Sequence, residues 1–226
     1  MGTVNLYDVV DVTTPIVANG AAVVANLSIP GTKMLLPFSG IQGHRMAVKV
    51  VLANSTNCSP SWKITVLKTD GAQVATSGNI GCTSTSYFLE PFALPSTETF
   101  RISFDPLGTH TATATVNLYD VVDLTGSLTI NAAATPLSLT PGQAATLTFN
   151  GTTGQLITVR LTGNTIGNTL VKLLKWDLTP LTSKTSSSSS FTLTQQTVPS
   201  PGGTLTVVID PVGSNTGNIS VQVTNP

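Results

Sequence analysis

The chain has 226 residues, of which 9% are charged, with ten basic and ten acidic side chains giving no net charge. That balance excludes binding by phosphate neutralisation to nucleic acid or by attraction to an anionic membrane surface. No run of about 18 apolar residues is present to insert into a bilayer, and a composition rich in Thr, Ser, Val, Leu, Gly and Pro predicts strands and turns with almost no helix.

The chain opens on a nine-residue stretch that it uses twice. Thr3 to Asp11 reads TVNLYDVVD, and so does Thr115 to Asp123, 112 positions later. A fixed internal period is the sequence signature of a repeat architecture. It predicts three segments: an extra N-terminal strand at 1–12, a first sandwich at 13–123 and a second at 124–226. The second copy closes a unit of about a hundred residues, within the usual size of a domain. The first copy therefore reads as the tail of a unit whose body lies outside this sequence. Met1-Gly2 leads straight into it, with no basic region and apolar stretch of a signal peptide. The expectation is a fragment of a longer secreted protein with Met1-Gly2 as a cloning remnant, the alternative being a leader removed from the numbering.

Beyond the repeat, the two units run in parallel. A strand is expected around Ala21 to Ser28, then a turn at Pro30-Gly31. Met34, Leu36 and Phe38 alternate with Lys33, Leu35 and Pro37 before Gly40 and Gly43, and Ala145, Leu147 and Phe149 precede Gly151 and Gly154 in the same way. Next come Met46, Val48, Val50 and Leu52, matched by Ile157, Val159 and Leu161, with Lys49 and Arg160 on the opposite face. A period of two with a cation on the wet side describes a sheet that is solvated on one face. Trp62, Ile64 and Val66 lead to the hairpin turn Asp70-Gly71, and Val171 and Leu173 to a looser turn at Asp177 to Pro180. Each unit closes on Asp-Pro-x-Gly, at Asp105 and at Asp210, between Phe100/Ile102/Phe104 and Ala114/Val116/Leu118 or between Leu205/Val207/Ile209 and Ile219/Val221/Val223. Asp caps the turn, Pro presets its dihedral and Gly takes the left-handed position. The fold class is all-β: two tandem jelly-roll or immunoglobulin-like antiparallel sandwiches of seven to eight strands each. Ser186 to Ser190 reads as an exposed loop.

Cys58 and Cys82 are the only cysteines. Pairing about Asp70-Gly71 joins residues whose numbers sum to about 140 or 141, and 58 plus 82 is 140, so the two face each other and a disulfide is geometrically plausible. It would stabilise the first unit by about 3 to 4 kcal/mol in the chain-entropy model and would place the chain in an oxidising compartment. The alternative is two buried free thiols. With only His44 and His110 elsewhere, a zinc centre lacks its spacing.

Chemistry is otherwise sparse. Neither histidine has a counterpart in the other unit, no Gly-x-Ser-x-Gly elbow accompanies the many serines, and no phosphate-cradling or dinucleotide motif is present, so no enzyme is expected. Asp120 and Asp123 stand at the joint between units, where calcium could be ligated; the plainer reading has them end strands and solvate a linker. Trp62, Phe38, Phe100 and Phe104 are in phase with core faces, which leaves Trp176, in a turn beside Lys175, as the aromatic expected at the surface and the candidate for contacting a carbohydrate or a neighbouring module. Val4, Leu6, Tyr7 and Val9 of the first copy are the candidates for strand exchange, because a strand with one apolar side does not persist in water alone.

At Val66 to Gly71 (VLKTDG), Leu94 to Gly108 (LPSTETFRISFDPLG) and the closing TATVNLYDV, the chain resembles the bacterial pre-peptidase C-terminal-like domains and related repeats of very large secreted bacterial proteins. The resemblance covers both units and departs at Trp176-Asp177-Leu178, where that family usually has Pro-Asp-Gly. It implies a jelly-roll-like sandwich, secretion and no catalytic residues of its own. The resulting expectation is a structural or adhesive repeat module of a bacterial extracellular or cell-surface protein, partnered by copies of itself or by neighbouring modules and able to build a fibre by strand addition. The alternative is a carbohydrate- or protein-binding accessory module of a secreted hydrolase.

Overall fold

The structure is a computed structural model that describes residues 4–53, 62–81 and 84–225. Among these there is no helix, and the chain divides into two compact units, Met1–Val121 and Val122–Pro226. Cys58 and Cys82 lie outside the described residues.

Unit 1 carries β1 (Val12–Thr13), β2 (Val23–Leu27), β3 (Met34–Gly40), β4 (Arg45–Ala53), β5 (Trp62–Leu67), β6 (Gln73–Ile80), β7 (Ser86–Ala93), β8 (Glu98–Pro106) and β9 (Ala112–Val121). They form a five-stranded sheet, β1-β3-β8-β5-β6, and a four-stranded sheet, β2-β9-β4-β7. The alternating residues do what the period of two dictates: Met34, Leu36, Ile64, Val66, Phe100, Ile102 and Phe104 of one sheet meet Val48, Val50, Ala114, Val116 and Leu118 of the other in a single buried cluster. Trp62 is a fully buried member of that cluster, its ring centroid 5.4 Å from that of Phe104 and 6.2 Å from that of Tyr87.

Unit 2 carries β10 (Leu124–Ser127), β11 (Thr135–Leu139), β12 (Ala145–Gly151), β13 (Leu156–Thr162), β14 (Thr169–Leu174), β15 (Pro180–Ser186), β16 (Phe191–Thr192), β17 (Gln196–Thr197), β18 (Gly203–Pro211) and β19 (Gly217–Thr224). Its sheets are β10-β12-β18-β14-β15 and β11-β19-β13-β16, with β17 also on β13. Setting aside the two-residue strands β1, β16 and β17 leaves eight strands in each unit, nine minus one and ten minus two. All ladders are antiparallel except the first of each unit: β1 runs parallel to β3, and β10 parallel to β12.

The repeated glycine pair has two separate causes. Gly43 and Gly154 both have φ of +83°, which a side chain disfavours. Gly40 and Gly151 are instead close-approach sites. A Cβ on Gly40 would sit 2.7 Å from the Phe100 ring, and one on Gly151 2.8 Å from both Leu205 and Val198.

The extra N-terminal strand is where sequence and structure part. Val4 to Asp11 pairs with no strand among the described residues. The second copy, by contrast, lies in β9 between β2 and β4.

Candidate functional site

The second copy of the repeated stretch forms the C-terminal half of β9, a central strand with β2 on one side and β4 on the other. Val116 and Leu118 point into the core at 0% and 2% exposure. On the outer face Tyr119 lies opposite Ala47 of β4, which is fully buried, and beside the Phe88 ring of β7 at 6.5 Å. A large side chain over a small one, bordered by an aromatic edge, is a cross-strand arrangement that stabilises a sheet. Burial raises the Tyr119 hydroxyl above its ordinary pKa.

Two polar contacts fix the end of that strand. His44 Nδ1 stands 2.8 Å from Asp120 Oδ2, while Asp120 Oδ1 has no hydrogen-bond partner. Asn19, held at φ +57°, donates its backbone N–H to the Leu118 carbonyl, and its side-chain oxygen accepts the Asp120 N–H at 3.2 Å. Unit 2 repeats the clamp: Asn131, at φ +64°, donates to the Val223 carbonyl and accepts the Asn225 N–H at 2.9 Å. These asparagines escape a reading of the sequence by motif. Their available signal is recurrence, since 19 and 131 differ by the same 112 residues as the repeat.

The first copy has the same residues and none of this burial. Val4 is 95% and Leu6 98% exposed, and Tyr7 and Val9 are also open. Both copies nevertheless hand the chain on in the same way. Asp11 Oδ1 accepts the Lys33 N–H at 2.9 Å and the Val12 N–H bonds the Lys33 carbonyl; Asp123 Oδ1 accepts the Ala144 N–H at 3.1 Å and the Leu124 N–H bonds the Ala144 carbonyl. The Asp of each copy thus starts the parallel strand of the next unit. Of the two carboxylates singled out for calcium, Asp123 is engaged at this cap and Asp120 at His44. Among the described residues no group of three or more His, Cys, Asp or Glu side chains is gathered to hold a metal ion.

Direction decides where the first copy can reach. β1 continues along β3 through the bonds of Thr14 to Leu35 and Ile16 to Pro37, so Asp11 is pinned at the Met34 end of β3. The repeated stretch in β9 ends with Val121 opposite Arg45, which lies past the other end of β3 across a short turn. The two places are separated by the length of a seven-residue strand, roughly 20 Å.

Trp176 sits in the β14–β15 turn, 39% exposed, with Lys175 Nζ 5.8 Å from its ring centroid. The turn is built like that of unit 1. Lys68 N–H bonds the Ala72 carbonyl and Asp70 Oδ1 accepts the Ala72 N–H; Lys175 N–H bonds the Thr179 carbonyl and Asp177 Oδ1 accepts the Thr179 N–H. Where unit 1 has Gly71 at φ +86°, however, unit 2 holds Leu178 at +62°, with its side chain 68% exposed. Elsewhere, a shallow cleft of about 480 Å³ on unit 1 is lined by apolar and hydroxyl side chains, Ile16, Pro37, Phe38 and Thr99 among them.

No known protein family and no curated protein matches this sequence. Solved structures do show likeness. The pre-peptidase C-terminal domain of a collagenase from Bacillus anthracis is 11% identical, covers 45% of this chain and 94% of its own, and has a TM-score of 0.36. A periplasmic inhibitor of g-type lysozyme from Aeromonas hydrophila is 13% identical over 49% of this chain and 99% of its own, with a TM-score of 0.33. The collagenase domain is of the family that the turn and strand residues resemble, and no sequence match accompanies it.

Proposed function

We propose that this chain is a non-enzymatic structural module of a bacterial extracellular protein, in which β-sandwiches are joined so that the last strand of one leads directly into the first strand of the next, and that its N-terminal copy is a last strand meant for a neighbouring sandwich. The observation that carries this reading is the contrast within one nine-residue sequence: buried in the centre of a sheet as part of β9, exposed and unpaired at the N-terminus. Both copies hand over to the next unit through the same aspartate cap, which supports reading the first as a joint as well. Secretion is inferred from the resemblance to pre-peptidase C-terminal-like repeats. Between molecules the same joint would build a fibre only where the last-strand slot of an acceptor sandwich stands open.

The test is to supply such a neighbouring sandwich. Residues 12–114, unit 1 up to the repeated stretch, are joined ahead of Thr3, so that Val4 falls in the register of Val116. The added segment should fold, and amide exchange at Val4 to Val9 should slow to the rates seen at Val116 to Val121. An added segment that stays unfolded, with exchange at Val4 to Val9 as fast as in a free peptide, refutes the reading.

A second reading has one observation in its favour. Trp176 and Leu178 present two apolar side chains at an exposed turn held in a backbone conformation unfavourable to leucine, as a carbohydrate- or protein-binding tip would. A glycan array with Trp176→Ala as control tests the carbohydrate form; absence of signal on every sugar removes it.

A further inference from the structure

Given that the N-terminal copy is a last strand, the residues on the walls of the two slots specify its acceptor. Unit 1 and unit 2 hold their last strands in equivalent places, but the walls differ. Opposite Tyr119 unit 1 has the small Ala47, and its bordering strand brings Phe88 against the ring. In unit 2 the corresponding strand residue is Thr224, opposite Thr158, and the position of Phe88 is taken by Thr192 beside Arg160. At the strand end, His44 of unit 1 meets Asp120. In unit 2 that place belongs to Gln155, whose side-chain oxygen is turned back onto Thr152. Tyr7 and Asp8 of the free copy match the first set of walls and not the second. In a slot of the unit 2 kind the Tyr7 ring would face the branched Thr158 with no aromatic neighbour, and Asp8 would face no histidine.

The free copy also has no route to the slot of its own unit 1. Asp11 is fixed at the far end of β3, so reaching that slot would strip β1 from the sheet. Nor does exchange between intact molecules gain contacts, because each carries two copies and one unit 1 slot, already filled. We propose that the N-terminal stretch docks not into its own unit 1 but into another sandwich of the unit 1 kind whose last-strand slot is open, and discriminates against the unit 2 kind.

The proposal rests on the strand reading of the N-terminal copy, and one experiment separates the two. Two variants of the full chain are prepared, Val116→Asp with Leu118→Asp, which disables β9, and Val221→Asp with Val223→Asp, which disables β19. Each then offers one open slot and one free strand per molecule. Mass is measured by light scattering over a concentration series, with fluorescence of Trp62 reporting the fold of unit 1. The wild type should stay at its 23.3 kDa chain mass. The β9 variant should grow into head-to-tail oligomers with Trp62 still buried, and should lose both properties when residues 1–11 are removed. The β19 variant should remain a monomer with a disrupted unit 2. Oligomers from both variants, each requiring residues 1–11, overturn the discrimination and leave the strand reading standing. Oligomers from the β19 variant alone overturn the proposal outright. A β9 variant that stays monomeric overturns it as well, and if neither variant associates, the strand reading falls with it.

Discussion

Leu6 and Leu118 occupy the same position of the same nine-residue sequence, so the substitution to Ala at each is a controlled comparison of context. Leu118 is 2% exposed on the inner face of β9 and Leu6 is 98% exposed. Removing three buried carbons at about 0.8 kcal/mol each gives roughly 2.4 kcal/mol, and the cavity left in a core that cannot fully collapse brings Leu118→Ala to about 3 kcal/mol. Leu6→Ala should cost nothing measurable, within about 0.5 kcal/mol. The assay is urea unfolding monitored by tryptophan fluorescence, since the two tryptophans fall one in each unit: Trp62 in the core of unit 1 and Trp176 in a turn of unit 2. With a slope of about 1.5 kcal/mol per molar urea, Leu118→Ala moves the unit 1 midpoint down by about 2 M and leaves unit 2 in place. Equal shifts at the two sites would refute the reasoning, because they would mean that the N-terminal copy is packed somewhere in the isolated chain.

Three further outcomes are expected. Leu178→Gly should raise the thermal midpoint of unit 2 by a few degrees: the left-handed backbone costs a leucine about 1–2 kcal/mol, of which the greater freedom of glycine in the unfolded chain returns roughly half. A lower midpoint would show that the leucine side chain holds the turn. Glu98 accepts hydrogen bonds from Ser96 and Thr69 and pairs with Lys68 at 3.4 Å, which holds its carboxyl down at about 2 against an ordinary 4.5. Its contribution is therefore present above the unfolded value and lost as pH falls from about 4.5 through 2, so acid titration of unit 1 stability should flatten in Glu98→Gln; parallel profiles would count against it. Finally, thiol titration of the unfolded, unreduced chain should find no free thiol at Cys58 or Cys82, and reduction should weaken unit 1 by about 3 kcal/mol without affecting unit 2; two reactive thiols would exclude the disulfide.

What the sequence discloses is what is local. Phe100, Ile102 and Phe104 announce their strand because alternation is a property of consecutive residues, and the Asp-Pro-x-Gly turns announce themselves because φ preferences are too. What it conceals is non-local. The same letters that make β9 a strand leave Val4 to Asp11 unpaired, because a strand exists only by virtue of its neighbours. The His44–Asp120 contact spans 76 residues and has no pattern to reveal it. Register is intermediate: along the β5–β6 hairpin the paired numbers sum to 140 at Leu67 and Gln73 but to 142 at Trp62 and Ile80, since two irregularities intervene. Asn19 and Asn131 look like ordinary loop residues until the period of the repeat is applied to them.

Each unit receives the chain at one end of its strands and releases it at the other. In unit 1 the parallel strand β1 enters beside Met34 and β9 leaves beside Arg45, and in unit 2 β10 enters beside Ala145 and β19 leaves beside Thr158. A pull on the two ends of such a unit acts along the strands and across their hydrogen bonds, which lie nearly perpendicular to an antiparallel ladder. The bonds of β9 to β2 and β4 are then loaded together in shear rather than opened one at a time like a zip. A unit loaded in this way resists stretching in proportion to its weakest whole ladder.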